Sequence, residues 1–383
     1  MIRTRLSAHT DASVAYRRVN VSTGRALITV ALLIMLLISV GTGGARAAAL
    51  KAMWGPGIVE GVSRFPTYQD LGVRIYEEKL DWALIATSRP RNPRNPNDPA
   101  YIWPAEVTQA VAEAKRYHIQ VALQIIGAPP WANGGKPWNW VPKNPQDYAN
   151  FAIAAAKRYP SVHLWMIWGE PSRSPNFEPF YPANPLARRL TAKQKIAPRL
   201  YARILDAAYG ALKGVSRSNL VIGGMTFSAS DLTDDLTTAQ WIENLSLPDG
   251  KPPRLDMYGH DPFSFRAPNL SNPPSAYEQL DFSDLGRLSK LVDHYLGRPS
   301  NPDPKLFISE WTIPTKIDLE FDFYVEPLVQ AKWITDAFRV AEELPSIYAL
   351  GWIHLYDEPP ESYGGLLETD GVKKPGYFAW KAG

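Results

Sequence analysis

Two short apolar runs each finish on a glutamate, 140 positions apart: His163-Leu-Trp-Met-Ile-Trp-Gly-Glu170-Pro and Lys305-Leu-Phe-Ile-Ser-Glu310-Trp. Their length and their content of branched and aromatic residues predict strands buried on both faces, and Pro171 removes the amide that would continue the first ladder. A carboxylate is too costly to bury without a partner, so each glutamate is expected at a strand mouth facing a cleft. Two carboxyl groups across a cleft suffice to cleave a glycosidic bond. One gives a proton to the leaving oxygen and the other attacks the anomeric carbon or activates water.

The elements that must position this pair begin near Leu50. Residues 1–49 read as a targeting segment: Arg3, Arg5, Arg17, Arg18 and Arg25 form a basic leader, residues 26–40 are a mostly apolar run, and Ala45-Arg46-Ala47-Ala48-Ala49 offers A-x-A cleavage sites. The apolar run has 15 residues, short of the roughly 20 that span a bilayer, which favours a cleaved signal peptide over a permanent anchor. The expectation is a secreted protein, with membrane anchoring through residues 26–40 as the alternative.

That leader holds six of the 41 basic residues and one of the 38 acidic ones, leaving 35 basic against 37 acidic, a net charge of −2. The basic balance of the whole chain therefore belongs to the leader, and the folded part has no nucleic-acid footprint. Cysteine is absent, which excludes disulfides and thiolate metal sites. The six histidines show no close ligand spacing, so metal-dependent sugar deacetylation is set aside and no cofactor is expected. Thirteen Trp and 18 Tyr suit a protein that stacks on flat ligand faces, although many must be core.

From Leu50 onward, eight strand candidates alternate with helical stretches: 52–58, 73–76 and its continuation, 120–126, 163–168, 221–225, 255–258, 306–309 and 348–354. Helices are expected over 104–117, 145–159, 198–213, 283–296 and 327–343, several with proline in the first turn, where its missing amide is harmless. This is the pattern of an α/β fold, a single (β/α)8 barrel. The long loops 128–144, 172–189 and 261–281 follow strands, which marks the C-terminal face as the functional end. The segment 89–99, rich in proline and arginine, reads as a solvated connector.

With these elements in place, the chain resembles the retaining glycoside hydrolases of clan A, nearest in flavour to the cellulase family, family 5, and to family 39. Trp165-Met-Ile-Trp-Gly-Glu170-Pro is similar to the W-x-x-W-N-E-P that ends strand four there. Phe307-Ile-Ser-Glu310-Trp is similar to the end of strand seven. Ala349-Leu-Gly-Trp352, then Gly364-Gly-Leu-Leu-Glu-Thr-Asp370-Gly and Lys374-Pro375, are similar to strand eight and its closing loop. The resemblance implies that Glu170 is the acid/base and Glu310 the nucleophile, about 5 Å apart. It also implies that Arg74 holds Glu310 ionised and that Trp352 is the platform beneath the sugar. Trp131, Trp138 and Trp140 become candidates for further stacking, against local packing of a long loop. Asn133 and Asn139 could bind hydroxyls, but asparagine in such loops is usually turn chemistry.

Three departures bear on the substrate. Gly169 stands where the family has the asparagine that grips the sugar 2-hydroxyl. In Asp256-Met-Tyr-Gly-His260-Asp261-Pro-Phe263, Asp261 replaces a histidine and Phe263 the tyrosine that contacts the nucleophile, with Tyr258 or His260 as compensating candidates. Either a polar group from elsewhere fills the space at Gly169, His260 or Asn133 first, or the sugar differs at C2. The expected function is an exported retaining hydrolase of a β-linked glycoside or polysaccharide. The alternative is a catalytically weak or inactive barrel that binds carbohydrate at the cell surface.

Overall fold

Eight parallel strands close on themselves: Leu50–Trp54, Ile75–Asp81, Gln120–Ile126, Leu164–Ile167, Leu220–Phe227, Met257–Asp261, Lys305–Ile308 and Ile347–Trp352. Each pairs with its neighbours in chain order, and the eighth returns to the first with Leu50 opposite Ala349. The computed structural model describes residues 48–228, 235–276 and 279–383. The expected targeting segment, apart from its last two residues, lies outside these, as does the apolar run 26–40. Among the described residues no helix is long and apolar enough to cross a membrane.

Strand alternation divides the core into two layers. Ala52, Ile75, Ala122, Leu164, Met166, Ile222, Met257, Phe307 and Ala349 point into the barrel and pack on one another. Their neighbours, among them Val121, Leu123, Trp165, Val221, Tyr258, Leu306 and Leu350, point outward against the helices. The small residues of the inner set let eight strands converge, and Gly351 does the same for the seventh and eighth: a Cβ there would overlap the Ser309 carbonyl.

The outer helices lie close to where the sequence places them: Ala105–Arg116, Pro145–Arg158, Ile196–Val215, Leu285–Leu296 and Pro327–Glu343. Asn144 starts the second by accepting the Gln146 amide, with Pro145 in the first turn. The first expected strand is shorter than its apolar run, because Ile58–Val59 and Val62–Ser63 turn back as a small antiparallel hairpin. After the eighth strand, the closing loop is tied by a buried ion pair, Lys374 Nζ to Asp357 Oδ1 at 2.8 Å. Its final segment becomes the helix Pro375–Ala382. The loop 89–99 is held down on the protein, with Tyr101 Oη donating to Pro93 O at 2.7 Å and Trp103 Nε1 to Pro96 O at 2.8 Å.

Candidate active site

Glu170 and Glu310 follow the fourth and seventh strands by three and two residues, so both stand at the C-terminal mouth of the barrel. Glu170 is held in the left-handed region at φ 42°, and Trp168 just before it at φ 66°. Such backbone costs about 1–3 kcal/mol per residue and persists where the surroundings impose it. The turn aims the Glu170 side chain at two donors on its own loop. Arg173 Nη1 and Asn176 Nδ2 each donate to Oε2 at 2.9 Å. The Arg173 guanidinium also lies 4.3 Å from the Phe227 ring centroid.

Glu310 is placed by its neighbours on both sides. Its backbone N–H donates to Asp261 Oδ1 of the sixth strand at 3.0 Å. On the other side Ile353 N–H donates to Trp311 O at 3.1 Å, which brings the end of the eighth strand level with the nucleophile candidate. Burial and the Glu170 charge push Glu310 up to about 8, against the pull of Lys79 and His354. The Glu170 charge thus reaches Glu310 at the mouth of the barrel.

Below them lies a buried polar floor. Ser309 Oγ donates to Glu77 Oε2 at 2.6 Å and accepts from Trp54 Nε1 at 2.9 Å. Burial drives Glu77 well above the usual carboxylate range, against the Ser309 bond, and Glu310 adds to the rise. Asp261 is raised in the same direction by burial and by the charges of Glu310 and Glu170. Among the described residues, its Oδ2 and Glu77 Oε1 are buried without a hydrogen-bond partner. Among the described residues no group of three or more histidines and carboxylates is arranged to hold a metal.

Several residues singled out in the sequence are elsewhere. Arg74 is exposed and precedes the second strand, at the opposite end of the barrel from Glu310. The strand runs on to Asp81, so Glu77 and Lys79 take the inward positions near the mouth. Trp352 points outward by alternation. It is fully buried, edge-on to Trp311 at 5.0 Å and 5.8 Å from Trp380, and offers no platform to a sugar.

Tyr258 and His260 are also fully buried. The His260 Nε2 contacts Leu280 O at 2.8 Å, its Nδ1 contacts Thr226 Oγ1 at 2.9 Å, and Tyr258 Oη lies 3.1 Å from the same hydroxyl. Burial lowers His260 to about 4, so it is neutral at pH 7 and completes this network as Nε2–H donor and Nδ1 acceptor. Neither residue compensates for the departures at Asp261 and Phe263.

Of the loop tryptophans, Trp131 is a packing residue: its Nε1 donates to Ala86 O at 2.7 Å, Trp82 meets it edge-on, and Arg89 covers its face. Trp138 is 44% exposed and free to stack, while Trp140 is half-buried with Lys136 over its ring. Asn133 is spent on turn chemistry, donating to Ala128 O, Lys136 O and Pro137 O. Asn139 donates to Pro175 O at 3.2 Å.

The space at Gly169 belongs to Gln124, on the third strand. A Cβ at 169 would meet Gln124 Oε1 at 3.0 Å. Gln124 is inward by alternation and only 2% exposed. The signal for it was available in the sequence: Gln124 is the one polar residue inside the run Val121–Ile126. For His354 and Glu320, which join loops far apart in the chain with Nε2 to Oε2 at 3.0 Å, no local pattern existed.

No protein-family model matches the chain, and no curated protein does. Solved structures match its fold. A family 39 glycoside hydrolase from Bacteroides cellulosilyticus WH2 superposes with a TM-score of 0.58 at 16% identity, covering 88% of this chain and 63% of that one. A glucosidase from Croceicoccus marinus gives 0.60 at 14%, covering 87% and 66%. A monomeric β-xylosidase from Caulobacter crescentus CB15 gives 0.57 at 16%, covering 88% and 67%. The chain spans about two thirds of the length of these enzymes, and likeness at such identity establishes the (β/α)8 fold.

Proposed function

We propose that the chain is a retaining glycoside hydrolase acting on a β-linked glycoside or polysaccharide, with Glu310 as nucleophile and Glu170 as acid/base. One observation carries the reading: two glutamates follow the fourth and seventh strands of a (β/α)8 barrel at its C-terminal mouth, near enough for the Glu170 charge to help raise Glu310. Glu310 is raised to about 8, so the proposed attack draws on its ionised form, which grows as pH rises towards that value.

The chemistry follows in two steps. The Glu310 carboxylate forms a bond to the anomeric carbon as the glycosidic bond breaks, and Glu170 passes its proton to the departing oxygen. Glu170, now ionised, takes a proton from water as that water attacks the same carbon and releases Glu310. Gln124, beside Gly169, is the group in reach of the role that asparagine fills in the resembling families: its carboxamide both donates and accepts. Trp138 serves as a stacking surface further along the cleft. Glucosides and xylosides are the first substrates to test, since the glucosidase and the β-xylosidase share this fold.

The departures at the nucleophile favour a second reading, a barrel that binds carbohydrate without turning it over. Incubation with 2-deoxy-2-fluoro glycosyl fluorides of glucose and xylose, followed by peptide mapping, separates the two. A covalent label on Glu310 supports the hydrolase; binding without label or turnover supports the idle barrel.

Export is part of the proposal and rests on residues 1–49. N-terminal sequencing of the mature protein tests it: a start near residue 48 or 50 supports a cleaved signal, and retention of residues 26–40 in the membrane fraction supports an anchor.

A further inference from the structure

Glu170 stands on the loop after the fourth strand, between two unlike halves of the barrel mouth. On the third-strand side are Gln124, beside Gly169, and Lys79, level with Gln124 on the second strand. On the fifth-strand side the rings of phenylalanines take over. Thr226 meets the outward pair Tyr258 and His260, so alternation turns Phe227, the last residue of the fifth strand, into the barrel. The Arg173 guanidinium that donates to Glu170 lies 4.3 Å from the Phe227 ring centroid. From there the rings continue as a row, Phe227 to Phe263 at 5.2 Å and Phe263 to Phe321, of the loop after the seventh strand, at 5.3 Å. Phe263 is 6% exposed, while Phe227 and Phe321 are half-buried. Phe265, 54% exposed, meets Phe323 edge-on at 5.5 Å and carries the apolar surface outward.

This row offers rings without a polar tip. Ser228 and Ser264, next in the chain to Phe227 and Phe263, are buried and spent on the backbone: Ser228 Oγ donates to Phe263 O and Ser264 Oγ to Arg266 O, each at 2.7 Å. A sugar ring brings hydroxyls that lose water on binding, at a cost where no partner replaces it. An aryl or alkyl group brings none and gains by covering its area with the rings.

We propose that Phe227, Phe263 and Phe321 form the leaving-group subsite and that it takes an apolar, ring-bearing aglycone in preference to a further sugar. The proposal rests on the assignment of Glu170 as acid/base. That carboxyl serves the oxygen of the bond being broken, so glycone and leaving group lie to either side of it. Gln124 and Lys79 suit the hydroxyls of the glycone, which leaves the phenylalanine row to the departing group. As the glycosidic bond breaks, the aglycone oxygen takes the Glu170 proton and leaves as an alcohol or phenol. Water then supplies the hydroxyl that joins the sugar and the proton that returns to Glu170.

Two measurements test this. In the first, 2-naphthol is titrated calorimetrically into the wild type, Phe321→Ala and Phe227→Leu. The wild type should bind it saturably, and Kd should rise about fivefold or more in Phe321→Ala. Circular dichroism establishes that this variant is folded; if it is not, Phe227→Leu, which keeps the strand end filled, decides in the same way. No binding, or an unmoved Kd in the deciding variant, overturns the proposal. In the second, kcat/KM is measured on the 2-phenylethyl and methyl β-glycosides of glucose and xylose, and on cellobiose and xylobiose. Both alkyl groups leave as alcohols of similar basicity, so the chemical step favours neither. The wild type should prefer the 2-phenylethyl glycoside to the methyl glycoside and the disaccharide by about tenfold, and the variant should lower the 2-phenylethyl to methyl ratio about fivefold. A structural role lowers both rates equally; an unmoved ratio, or a preference for the disaccharide, defeats the proposal. Naphthol binding that the variant weakens, in a protein that cleaves no glycoside, would refute the hydrolase reading and leave the apolar subsite standing. Disaccharide cleavage without naphthol binding would do the reverse.

Discussion

Gln124 holds its carboxamide where a side chain at residue 169 would begin, 3.0 Å from the position of a Cβ there. The third and fourth strands are neighbours in the barrel, with Gln124 level with Met166 in their register. The polar group that a glycine at 169 forgoes is therefore supplied from the adjacent strand. In the proposed reaction, the group that approaches the 2-hydroxyl comes from beneath rather than from the acid/base loop.

That relationship predicts a double-mutant cycle. Gly169→Asn alone forces the Gln124 tip aside and should lower kcat/KM on the best glycoside by about tenfold or more. Gln124→Ser alone removes the carboxamide and should cost a similar factor. The two together should recover part of the loss, because the asparagine then has the space that Gln124 vacated. Purely additive losses would show that the two side chains do not compete for one place.

The glutamates predict a division of roles. Glu310→Gln should lose on the order of 10^3-fold or more in kcat on every substrate. Glu170→Ala should retain turnover on aryl glycosides with good leaving groups and be rescued by azide, which replaces the water that the acid/base would activate. Loss without rescue in both variants would remove the distinction between acid/base and nucleophile.

Linkage gives a prediction free of any substrate. Glu310 is raised from the ordinary carboxylate range to about 8. The folded state therefore binds its proton more tightly than the unfolded chain, and that contribution is complete below about pH 4.5 and lost as pH rises through 8. Glu310→Gln never ionises. Its thermal midpoint should match the wild type near pH 4 and exceed it by several degrees at pH 9. Calorimetry across that range checks the sign; a difference that is constant with pH would show that Glu310 titrates normally.

The tryptophans separate packing from binding. Trp352, wedged between Trp311 and Trp380, should cost about 3–5 kcal/mol on replacement by alanine. Trp138→Ala should stay within about 0.5 kcal/mol in stability while raising KM for substrates long enough to reach it. Denaturant melts and oligosaccharide kinetics on the two variants decide this.

Arg74, exposed at the N-terminal end of the barrel, should be replaceable by alanine with activity within about twofold and stability within about 0.5 kcal/mol. A collapse of activity would put it back beside the nucleophile.

The barrel was legible in the sequence because its determinants are local. Apolar runs of strand length, amphipathic stretches with proline in the first turn, and long loops after strands are set by near neighbours, and all eight strands and five main helices lie close to their expected places. Both glutamates were legible for the same reason, since a carboxyl ending a buried strand has only the mouth to face. What surrounds them was decided by the tertiary structure. Strand alternation counts from a register that only barrel closure sets. One position of parity turns Trp352 into the helix layer, and the extension of the second strand to Asp81 puts Glu77 and Lys79 inward while leaving Arg74 at the far end. Likewise Gln124 beside Gly169, Asp261 beneath the Glu310 amide and Glu320 on His354 are contacts between residues from 34 to 49 positions apart. Their partners are chosen by the stagger of the strands and the fold of the loops, and no property of either residue alone specifies the other.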